Sequence, residues 1–545
     1  MAVKVMAHPS VTDRRARGAD TRIQAPPAAH TGWVPAVDRP DPVALLEEQN
    51  VTREPDLVPV RHGRMMVSPF TFYRGAAKIM ATDLAVTPTA GLITQLCGDA
   101  HLSNFGVFAS PERELLFDLN DFDETLPGPF EYDVQRMAAS FTIAARNNGL
   151  TKAESVSVTQ ASVRAYREAI AQFAQMRTMD LWYAHMSATD LQAAISKLAA
   201  DRGYQGKPSK TGKKGKEVKA GKAPKTSKAT QKARPGGAAW AAQQAEKNRR
   251  KAQTRDSLQA LSKLGELVDG KYRIVSQPPI VVPVRDLQEQ YGMNEDDVEQ
   301  AVHDQLRDYR ATLQDDRRHL LEHFEVIDMA RKVVGVGSVG TRAFIVLLQG
   351  RDAQDPLFLQ VKEATRSVLE DHLPKSRYRN PGERVVQGQR MMQAASDIYL
   401  GWTKGVQANR YLYWRQLRDM KGSALVDTMS AFMLEYYAGM CGWTLARAHA
   451  RSGDPVAIAE YLGTGDDFDT AITDFSHRYA DQNEADYQAF VAAVRSGRIP
   501  AVEGLCPLPT QNRPRVRLRG TPAGRRAPSR RPPNRRSRRP GNSGC

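Results

Sequence analysis

The sequence has few cysteines and lacks any long hydrophobic segment. Its four cysteines, Cys97, Cys441, Cys506 and Cys545, are isolated, without a CxxC pair or a metal-ligand spacing. Isolated cysteines are typical of a reducing compartment, so we expect a soluble cytoplasmic protein without disulfides. No run approaches the roughly 18 apolar residues that a membrane span needs, and the N-terminus lacks the apolar core of a signal peptide. The sequence therefore predicts no membrane partner.

Acidic residues are scarce in two segments, and these segments set the net charge of +16. Between residues 203 and 251, fifteen Lys and Arg residues stand against two acids, and twelve arginines with no acid follow Cys506. The rest of the chain then carries a charge of about −9. We predict that both segments are solvated low-complexity sequence, while weak nonspecific binding of nucleic acid or other anions is the alternative.

Acidic and amide side chains are concentrated in residues 96–133, LCGDAHLSNFGVFASPERELLFDLNDFDETLPGPFEYD. GVFAS and ELLFDL are strand-like and PERE is a turn, so the pattern predicts a β-hairpin with Asp99 and Asn104 before it and Asp121 after it. Such oxygen ligands suit Mg²⁺, which also binds water and substrate phosphates. An Asp five residues before an Asn is also the catalytic-loop spacing of phosphoryl transfer.

A glycine-rich motif, GVGSVG, lies between two β-rich runs. The β-branched sequence TRAFIVLLQG follows it, which argues against a dinucleotide site, whose last glycine opens a helix. A glycine loop between antiparallel strands instead covers ATP phosphates in protein kinases, and the next strand there carries a phosphate-binding lysine. We therefore predict that the nucleotide contacts Gly335, Gly337, Ser338, Gly340 and Lys362.

Helical periodicity and capping residues predict most of the remaining structure. Asp41 before a proline predicts the start of a short helix, and Asp133 is an N-cap candidate. The predicted helices cover residues 42–48, 68–85, 133–147, 152–175, 190–200, 256–267, 294–325, 383–397, 428–453 and 475–497.

Four motifs resemble those of known families. GDAHLSN resembles the HGDxHxxN loop of aminoglycoside phosphotransferases and other kinase-like enzymes, with Cys97 where they have His, and NDFDETLPGPFEYD resembles their IDFDDAxxGPxxYD segment. Together with GVGSVGTR and LQVKEA, these motifs are more closely similar to an uncharacterised bacterial domain-of-unknown-function family grouped with the protein-kinase-like superfamily. The resemblance spans roughly residues 64–499, apart from the basic insert. It implies a two-lobed, kinase-like α+β fold.

The resemblance implies an ATP- and Mg²⁺-dependent phosphotransferase. Asp99 and His101 would be catalytic, with Asp99 orienting an acceptor hydroxyl, and Asn104 and Asp121 would hold Mg²⁺. Similarity to aminoglycoside kinases indicates a small-molecule acceptor, although a protein acceptor and nucleotidyl transfer stay open. A non-catalytic nucleotide-binding scaffold and a metal-dependent phosphoesterase are the alternative functions.

Two assignments within this site stay open. The spacing along the hairpin favours Asp118 as the metal carboxylate, whereas the flanking residues favour Asp121, which we prefer. The acid that pairs with Lys362 could be Glu363 or Glu383, and neither is assigned.

The motifs occur in an unusual order, because the catalytic loop precedes the glycine loop by more than two hundred residues. LARAHA, near the C-terminus, resembles the LARLH helix that precedes the catalytic loop in aminoglycoside phosphotransferases. A circular permutation is the simplest hypothesis, and it requires Lys362 and Asp121 to share one cleft. The predicted order of parts is a disordered leader (1–40), the catalytic hairpin and helical lobe (41–202), a basic insertion (203–255), a helical continuation (256–325), the β-rich nucleotide-binding lobe (326–425), C-terminal helices that complete the helical lobe (426–503) and a disordered Arg/Pro tail (504–545).

Overall fold

The computed structural model describes residues 8–187, 189, 247, 249–268, 271–292, 294–333, 335–407, 409–417, 419–502 and 504. Helices and antiparallel sheets alternate in these residues, so the predicted α+β class is confirmed. The predicted helix at 190–200, most of the basic insertion and the Arg/Pro tail from residue 505 lie outside the described residues. No helix in the described ranges is long and apolar enough to cross a membrane.

The helices and strands are numbered here in chain order. The helices are α1 (Val11–Gln24), α2 (Pro42–Asn50), α3 (Val58–Met65), α4 (Pro69–Gly75), α5 (Ala77–Leu84), α6 (Phe130–Asn147), α7 (Lys152–Phe173), α8 (Thr178–Tyr183), α9 (Ser257–Leu264), α10 (Gln288–Tyr291), α11 (Glu295–Arg310), α12 (Asp315–Leu321), α13 (Pro381–Met392), α14 (Ala431–Ser452), α15 (Pro455–Leu462) and α16 (Asp467–Arg495). The strands are β1 (Ile93–Leu96), β2 (Phe105–Ala109), β3 (Leu115–Leu119), β4 (Leu126–Pro129), β5 (Gly265–Val268), β6 (Lys271–Ile274), β7 (Val281–Pro283), β8 (Glu325–Lys332), β9 (Ala343–Gln349), β10 (Pro356–Glu363), β11 (Gly401–Lys404), β12 (Tyr411–Gln416) and β13 (Gly422–Ser423).

The largest sheet is antiparallel and has the strand order β11-β12-β10-β9-β8-β7. Because side chains alternate along a strand, Leu359 and Val361 of β10 lie on one face and Lys362 on the other. Leu359 and Val361 belong to the apolar cluster that contains Tyr309 of α11, whose ring stacks on Trp414 of β12. The sheet therefore buries one face under helices and directs Lys362 to the opposite side.

The predicted hairpin is present as β2 and β3, with β13 as a third strand. The loop before it is held by Asp133, whose carboxylate accepts hydrogen bonds from the main-chain N–H groups of Cys97 (2.7 Å) and Gly98 (3.0 Å). Gly98 has φ +79°, and a side chain there would collide with the carbonyl of Glu124. These contacts fix the loop that carries Asp99 beside the end of the hairpin.

The N-cap prediction for Asp133 is wrong, because α6 already begins at Phe130. The prediction of one helix over residues 68–85 is also wrong, since α4 ends at Gly75 and α5 begins at Ala77. The buried guanidinium of Arg61 donates to the Gly75 carbonyl (2.8 Å) at this break. Likewise, residues 256–267 end in β5, and residues 294–325 form two helices rather than one.

The predicted disordered leader is wrong for the described residues from 8 onward. A capping box between Ser10 and Asp13 starts α1, and Arg14 pairs with Asp454 (2.7 Å) at the start of α15. Gly18 lies so close to α15 that a side chain would collide with the carbonyl of Ala457. Residues 11–24 of the leader therefore form a helix that is packed against the C-terminal part of the chain.

Candidate functional site

A cavity of about 640 Å³ lies where the β2–β3 hairpin, the glycine loop and helices α2, α4 and α5 meet. Its walls bring together residues that are far apart in the sequence. Of the residues predicted to act, those in its walls are Asp99, His101, Asn104, Asp121, Gly335, Gly337 and Ser338.

Lys362 reaches the acidic side of this cavity from β10. Its Nζ lies 2.6 Å from Oδ2 of Asp123 and 3.5 Å from both carboxylate oxygens of Asp121. The lysine side chain is only 2% exposed. Burial lowers the pKa of Lys362, but the charges of Asp121 and Asp123 outweigh burial and raise that pKa above its usual value. The strand lysine therefore contacts two aspartates of the cavity wall, although it is not itself among the residues that line the cavity.

Asp123 is a site residue to which the sequence assigned no role. Its Oδ1 accepts a hydrogen bond from the Tyr413 hydroxyl (2.7 Å), and its Oδ2 accepts one from the Ser338 hydroxyl (3.2 Å) besides the contact with Lys362. The carboxylate thus joins the hairpin, the glycine loop and the sheet. The signal for it was its place two residues after Asp121 in NDFDE.

The structure separates the two candidates for the metal carboxylate. Asp121 lies in the cavity wall. Burial raises its pKa, but the nearby charges of Lys362, Arg415 and Lys421 together outweigh burial and lower it. Asp118 is only 1% exposed and accepts hydrogen bonds from Arg447 (2.6 Å) and from a main-chain N–H (2.9 Å), away from the cavity wall. Asp121 is therefore the carboxylate that a ligand in the cavity could reach.

The side chain of Asn104 is hydrogen-bonded to the main chain around Asp99 and Asp121, so its Oδ1 is not free to bind a ligand. Its Nδ2 donates to the carbonyls of Asp99 (3.1 Å) and Asp121 (2.9 Å), and its Oδ1 accepts from the N–H groups of Asp121 (2.7 Å) and Asn120 (3.3 Å). Both acceptor positions of Oδ1 are therefore used. In this arrangement Asn104 positions Asp121 directly.

Asp99 is held by a buried arginine. Both Nε and Nη2 of Arg136 lie 2.8 Å from Oδ1 of Asp99, and the guanidinium lies over the ring of Tyr73. Nε2 of His101 is 3.6 Å from the other Asp99 oxygen, and His101 Nδ1 is buried without a hydrogen-bond partner. Burial lowers the pKa of His101 to about 4, so its ring is neutral at pH 7.

The glycine loop is fixed by residues from the N-terminal helices. Arg64 donates to the carbonyl of Gly335 (2.6 Å) and Arg53 to that of Val339 (2.5 Å). Gly340 has φ +89°, and a Cβ built on it would lie 3.1 Å from Cβ of Arg53. Gly340 therefore packs against Arg53 and, like Lys362, is not among the residues of the cavity wall.

A family model described as an uncharacterized protein conserved in bacteria, DUF2252, matches residues 53–249 and 228–493. The chain belongs to this family. The match includes the hairpin, the glycine loop and Lys362, and it covers the cavity wall except for Glu48, Gln49 and Thr52. No curated protein and no solved structure matches the chain.

Neither glutamate considered for Lys362 pairs with it in this DUF2252 chain. Glu363 is bound by Arg410 (2.7 Å) and Arg342 (3.3 Å). Helix α13, which carries Glu383, instead directs Arg384 to the carbonyls of Asp123 and Thr125 (2.8 and 2.5 Å). The acids that pair with Lys362 are therefore the two aspartates of the hairpin.

The connector after β12 is held by main-chain hydrogen bonds. The N–H of Met420 donates to the carbonyl of Arg255 (2.9 Å), and the guanidinium of Arg255 donates to the carbonyl of Lys421 (2.5 Å). Arg255 and the buried Ala252 lie at the end of the predicted basic insertion. The last residues of that insertion are therefore packed on the connector.

The donor set of the cavity fits a hard cation. Asp121 and Asp123 supply carboxylate oxygens next to open space, and Mg²⁺ needs only one or two of these when phosphates and water complete its coordination. No group of three or more His, Cys, Asp and Glu side chains with metal-binding geometry occurs within the described ranges.

Proposed function

We propose that this protein is an ATP- and Mg²⁺-dependent phosphotransferase with a circularly permuted, kinase-like arrangement. The observation that carries the proposal is the contact of Lys362 with Asp123 (2.6 Å) and Asp121 (3.5 Å), across more than two hundred residues of sequence. The same cavity contains Asp99 and the glycine loop. A lysine, an acidic metal site and a carboxylate for the acceptor are the groups that phosphoryl transfer requires.

In this proposal Lys362, Gly335, Gly337 and Ser338 bind the phosphates of ATP. Asp121 and its neighbour Asp123 hold Mg²⁺, which neutralises charge on the phosphates when it is bound. The ammonium and the two carboxylates pair with each other in the free protein. Binding of Mg·ATP would therefore replace the ion pairs of Lys362 with the two aspartates. Lys362 would pair with a phosphate, and the aspartates would pair with the metal.

Asp99 orients the hydroxyl of the acceptor and accepts its proton as the phosphoryl group moves from ATP to the acceptor oxygen. Arg136 fixes the carboxylate of Asp99, so that little reorientation is needed. The cavity of about 640 Å³ has room for a nucleotide and a small acceptor together. We propose a small molecule with a hydroxyl group as the acceptor.

The position of α14 supports the permutation. This helix carries LARAHA, and its Arg447 binds Asp118 of the hairpin, while His449 lies 3.3 Å from Asp133, the residue that holds the catalytic loop. The helix that would precede the loop in unpermuted relatives therefore contacts the loop and the hairpin, although it follows them in the chain. Both chain orders would bring the same elements together.

The test is thermal unfolding of the full chain with ATP, with and without Mg²⁺. We expect Mg·ATP to raise the midpoint in the wild type and to lose this effect in Lys362→Ala and in Asp121→Ala. Matched controls are Lys404→Ala, an exposed lysine of the same sheet, and Asp427→Ala, an exposed aspartate. A wild type that ATP does not stabilise, or a Lys362→Ala variant stabilised as strongly as the wild type, would contradict the proposal.

One observation favours a second function, a nucleotide-binding scaffold without turnover. Both acceptor positions of Asn104 Oδ1 are occupied by main-chain N–H groups, so a predicted metal ligand is not free in this arrangement. The two functions differ in turnover. Release of ADP from Mg·ATP that depends on Asp99 supports the phosphotransferase, whereas nucleotide binding with no such release supports the scaffold.

A further inference from the structure

Two more cations line the cavity beside Asp121, and the proposed function gives them no role. Arg415 comes from β12 and Lys421 from the connector that follows it. Within the residues that the structure describes, Arg415 donates to two neutral oxygens, Oε1 of Gln360 (3.0 Å) and the carbonyl of Asn120 (3.0 Å). The ammonium group of Lys421 has no hydrogen bond or ion pair within the described part of the chain.

The acids near these cations are already engaged. Asp123 binds Lys362, Tyr413 and Ser338, and Asp121 contacts Lys362 at 3.5 Å. Burial and the charges of Arg415 and Lys362 lower the pKa of Lys421 to about 7, against an opposing effect of Asp121. Buried positive charge without a counter-ion is unfavourable. An anion from outside the chain would supply the missing charge.

The remaining nearby acids are bound elsewhere. Asp397 accepts hydrogen bonds from the main-chain N–H groups of Tyr399 (2.8 Å) and Gln416 (2.5 Å), and Asp419 pairs with Arg113. These contacts leave Arg415 and Lys421 facing the cavity as a pair. A guanidinium and an ammonium together are a common donor set for phosphate, which carries close to two negative charges at pH 7.

We propose that Arg415 and Lys421 form a phosphate subsite in this cavity, next to Asp121. Its ligand is a phosphoryl group, from one of two sources: the nucleotide's own phosphates, or a phosphate already present on the acceptor. The second source would make the acceptor a phosphorylated small molecule. The assignment of these sources rests on the proposed phosphotransferase function, but binding of a phosphate at the subsite does not.

The test measures binding of inorganic phosphate and pyrophosphate to the full chain by thermal shift and calorimetry. Lys421→Met keeps the length of the side chain and removes its charge, Lys421→Arg keeps the charge, and Lys404→Met is the control on an exposed lysine. We expect Lys421→Met to weaken binding about tenfold, as loss of a charge-assisted hydrogen bond does, and Lys421→Arg to retain most of it. Wild-type affinity in Lys421→Met, or no binding of either anion to the wild type at millimolar concentration, would overturn the subsite.

Nucleotides distinguish the two sources. If the subsite binds the nucleotide, Lys421→Met reduces the advantage of Mg·ATP over Mg·ADP. If it binds the acceptor, Lys421→Met leaves both nucleotide shifts unchanged and loses only the phosphate shift, also in the presence of Mg·ADP. A wild type that binds pyrophosphate through Lys421 but never binds ATP would refute the proposed function and leave the subsite standing, so the two failures are distinguishable.

Discussion

Asp118 and Asp121 stand three positions apart but in opposite environments. The Asp118 side chain is 2% exposed and pairs with Arg447, whose side chain is 1% exposed, whereas 43% of the Asp121 side chain is exposed. Removing one partner of a buried ion pair leaves an uncompensated charge and costs about 3 to 5 kcal/mol. We expect Asp118→Ala to lower the free energy of unfolding by that amount and Asp121→Ala by less than about 1 kcal/mol.

Urea denaturation of both variants measures this difference. Only Asp121→Ala should abolish stabilisation by Mg·ATP while the protein stays folded. Equal losses of stability in the two variants would show that the hairpin places both carboxylates in similar surroundings, contrary to the structure.

Glu131 is a buried acid whose protonation should govern part of the pH dependence of stability. Its Oε1 accepts from the Ala90 N–H (2.6 Å), but its Oε2 is buried without a partner. Burial raises the pKa of Glu131 from 4.5 to about 7. A pKa that is higher in the folded state gives stability that is full below pH 4.5 and is lost as the pH rises to 7.

Glu131→Gln should therefore raise the unfolding midpoint at pH 8 and have little effect at pH 4.5, because the amide keeps the bond to Ala90 and carries no charge. Glu112→Gln, in an exposed turn, is the control and should change neither value. A lower midpoint for Glu131→Gln at pH 8 would mean that the ionised carboxylate has a partner in the folded protein.

Among the elements, the glycine loop depends on one backbone conformation. Gly340 has φ +89°, and a Cβ would lie 3.1 Å from Arg53 Cβ and 3.3 Å from its Cδ. We expect Gly340→Ala to destabilise the protein by about 1 to 2 kcal/mol, since both the left-handed conformation and the contact oppose a side chain. Gly439→Ala is the matched control: it lies in α14 with nothing within 4 Å of a Cβ and should stabilise by about 0.5 to 1 kcal/mol.

Chemical denaturation of both alanine variants checks these opposite signs. If Gly340→Ala were as stable as the wild type, the loop would not be clamped between the sheet and the N-terminal helices. The contact with Arg53 also positions Gly337 and Ser338 in the cavity wall. We therefore expect Gly340→Ala to reduce the rise in unfolding midpoint that Mg·ATP causes.

Elements with strong local signals could be predicted from the sequence. Asp41 caps α2 as expected, the two β-rich runs around GVGSVG form β8 and β9, and the next strand, which carries Lys362, is β10. The prediction failed where a distant partner decides the outcome. Asp133 looked like a cap because Asp is common there, but its carboxylate binds the N–H groups of Cys97 and Gly98 instead.

The same division holds within the candidate site. Asp99, Asp121 and Lys362 belong to motifs with recognisable neighbours, and the structure brings them to one cavity region. The hydrogen bond from Arg53 to the Val339 carbonyl of the glycine loop joins residues 286 positions apart, and no local sequence pattern predicts such a contact. Asp123 could have been chosen from its motif, but its role as the main partner of Lys362 depends on the register of the sheet.

At the scale of the whole molecule, the start and the end of the described chain are joined. Arg39 donates to Asp83 of α5 (2.6 Å) and to Asp486 of α16 (2.6 Å), and their side chains are 10%, 4% and 5% exposed. Arg39 therefore links the N-terminal arm, which is residues 8–41, to α5 beside the cavity and to α16, the last helix described. Neighbouring ends of this kind are what a circular permutation requires.

Arg39→Met should lower the free energy of unfolding by about 3 to 5 kcal/mol, because it leaves two buried carboxylates without their partner. Burial raises the pKa of Asp83, so acidification lets this carboxylate take up a proton, and the loss should be smaller at pH 5 than at pH 8. Arg177→Met is the control, since Arg177 and Asp180 form an exposed pair (86% and 48%) whose loss should change stability by less than about 0.5 kcal/mol. Denaturant titrations at the two pH values decide the matter: equal, small effects of both substitutions would mean that the N-terminal arm does not close the fold.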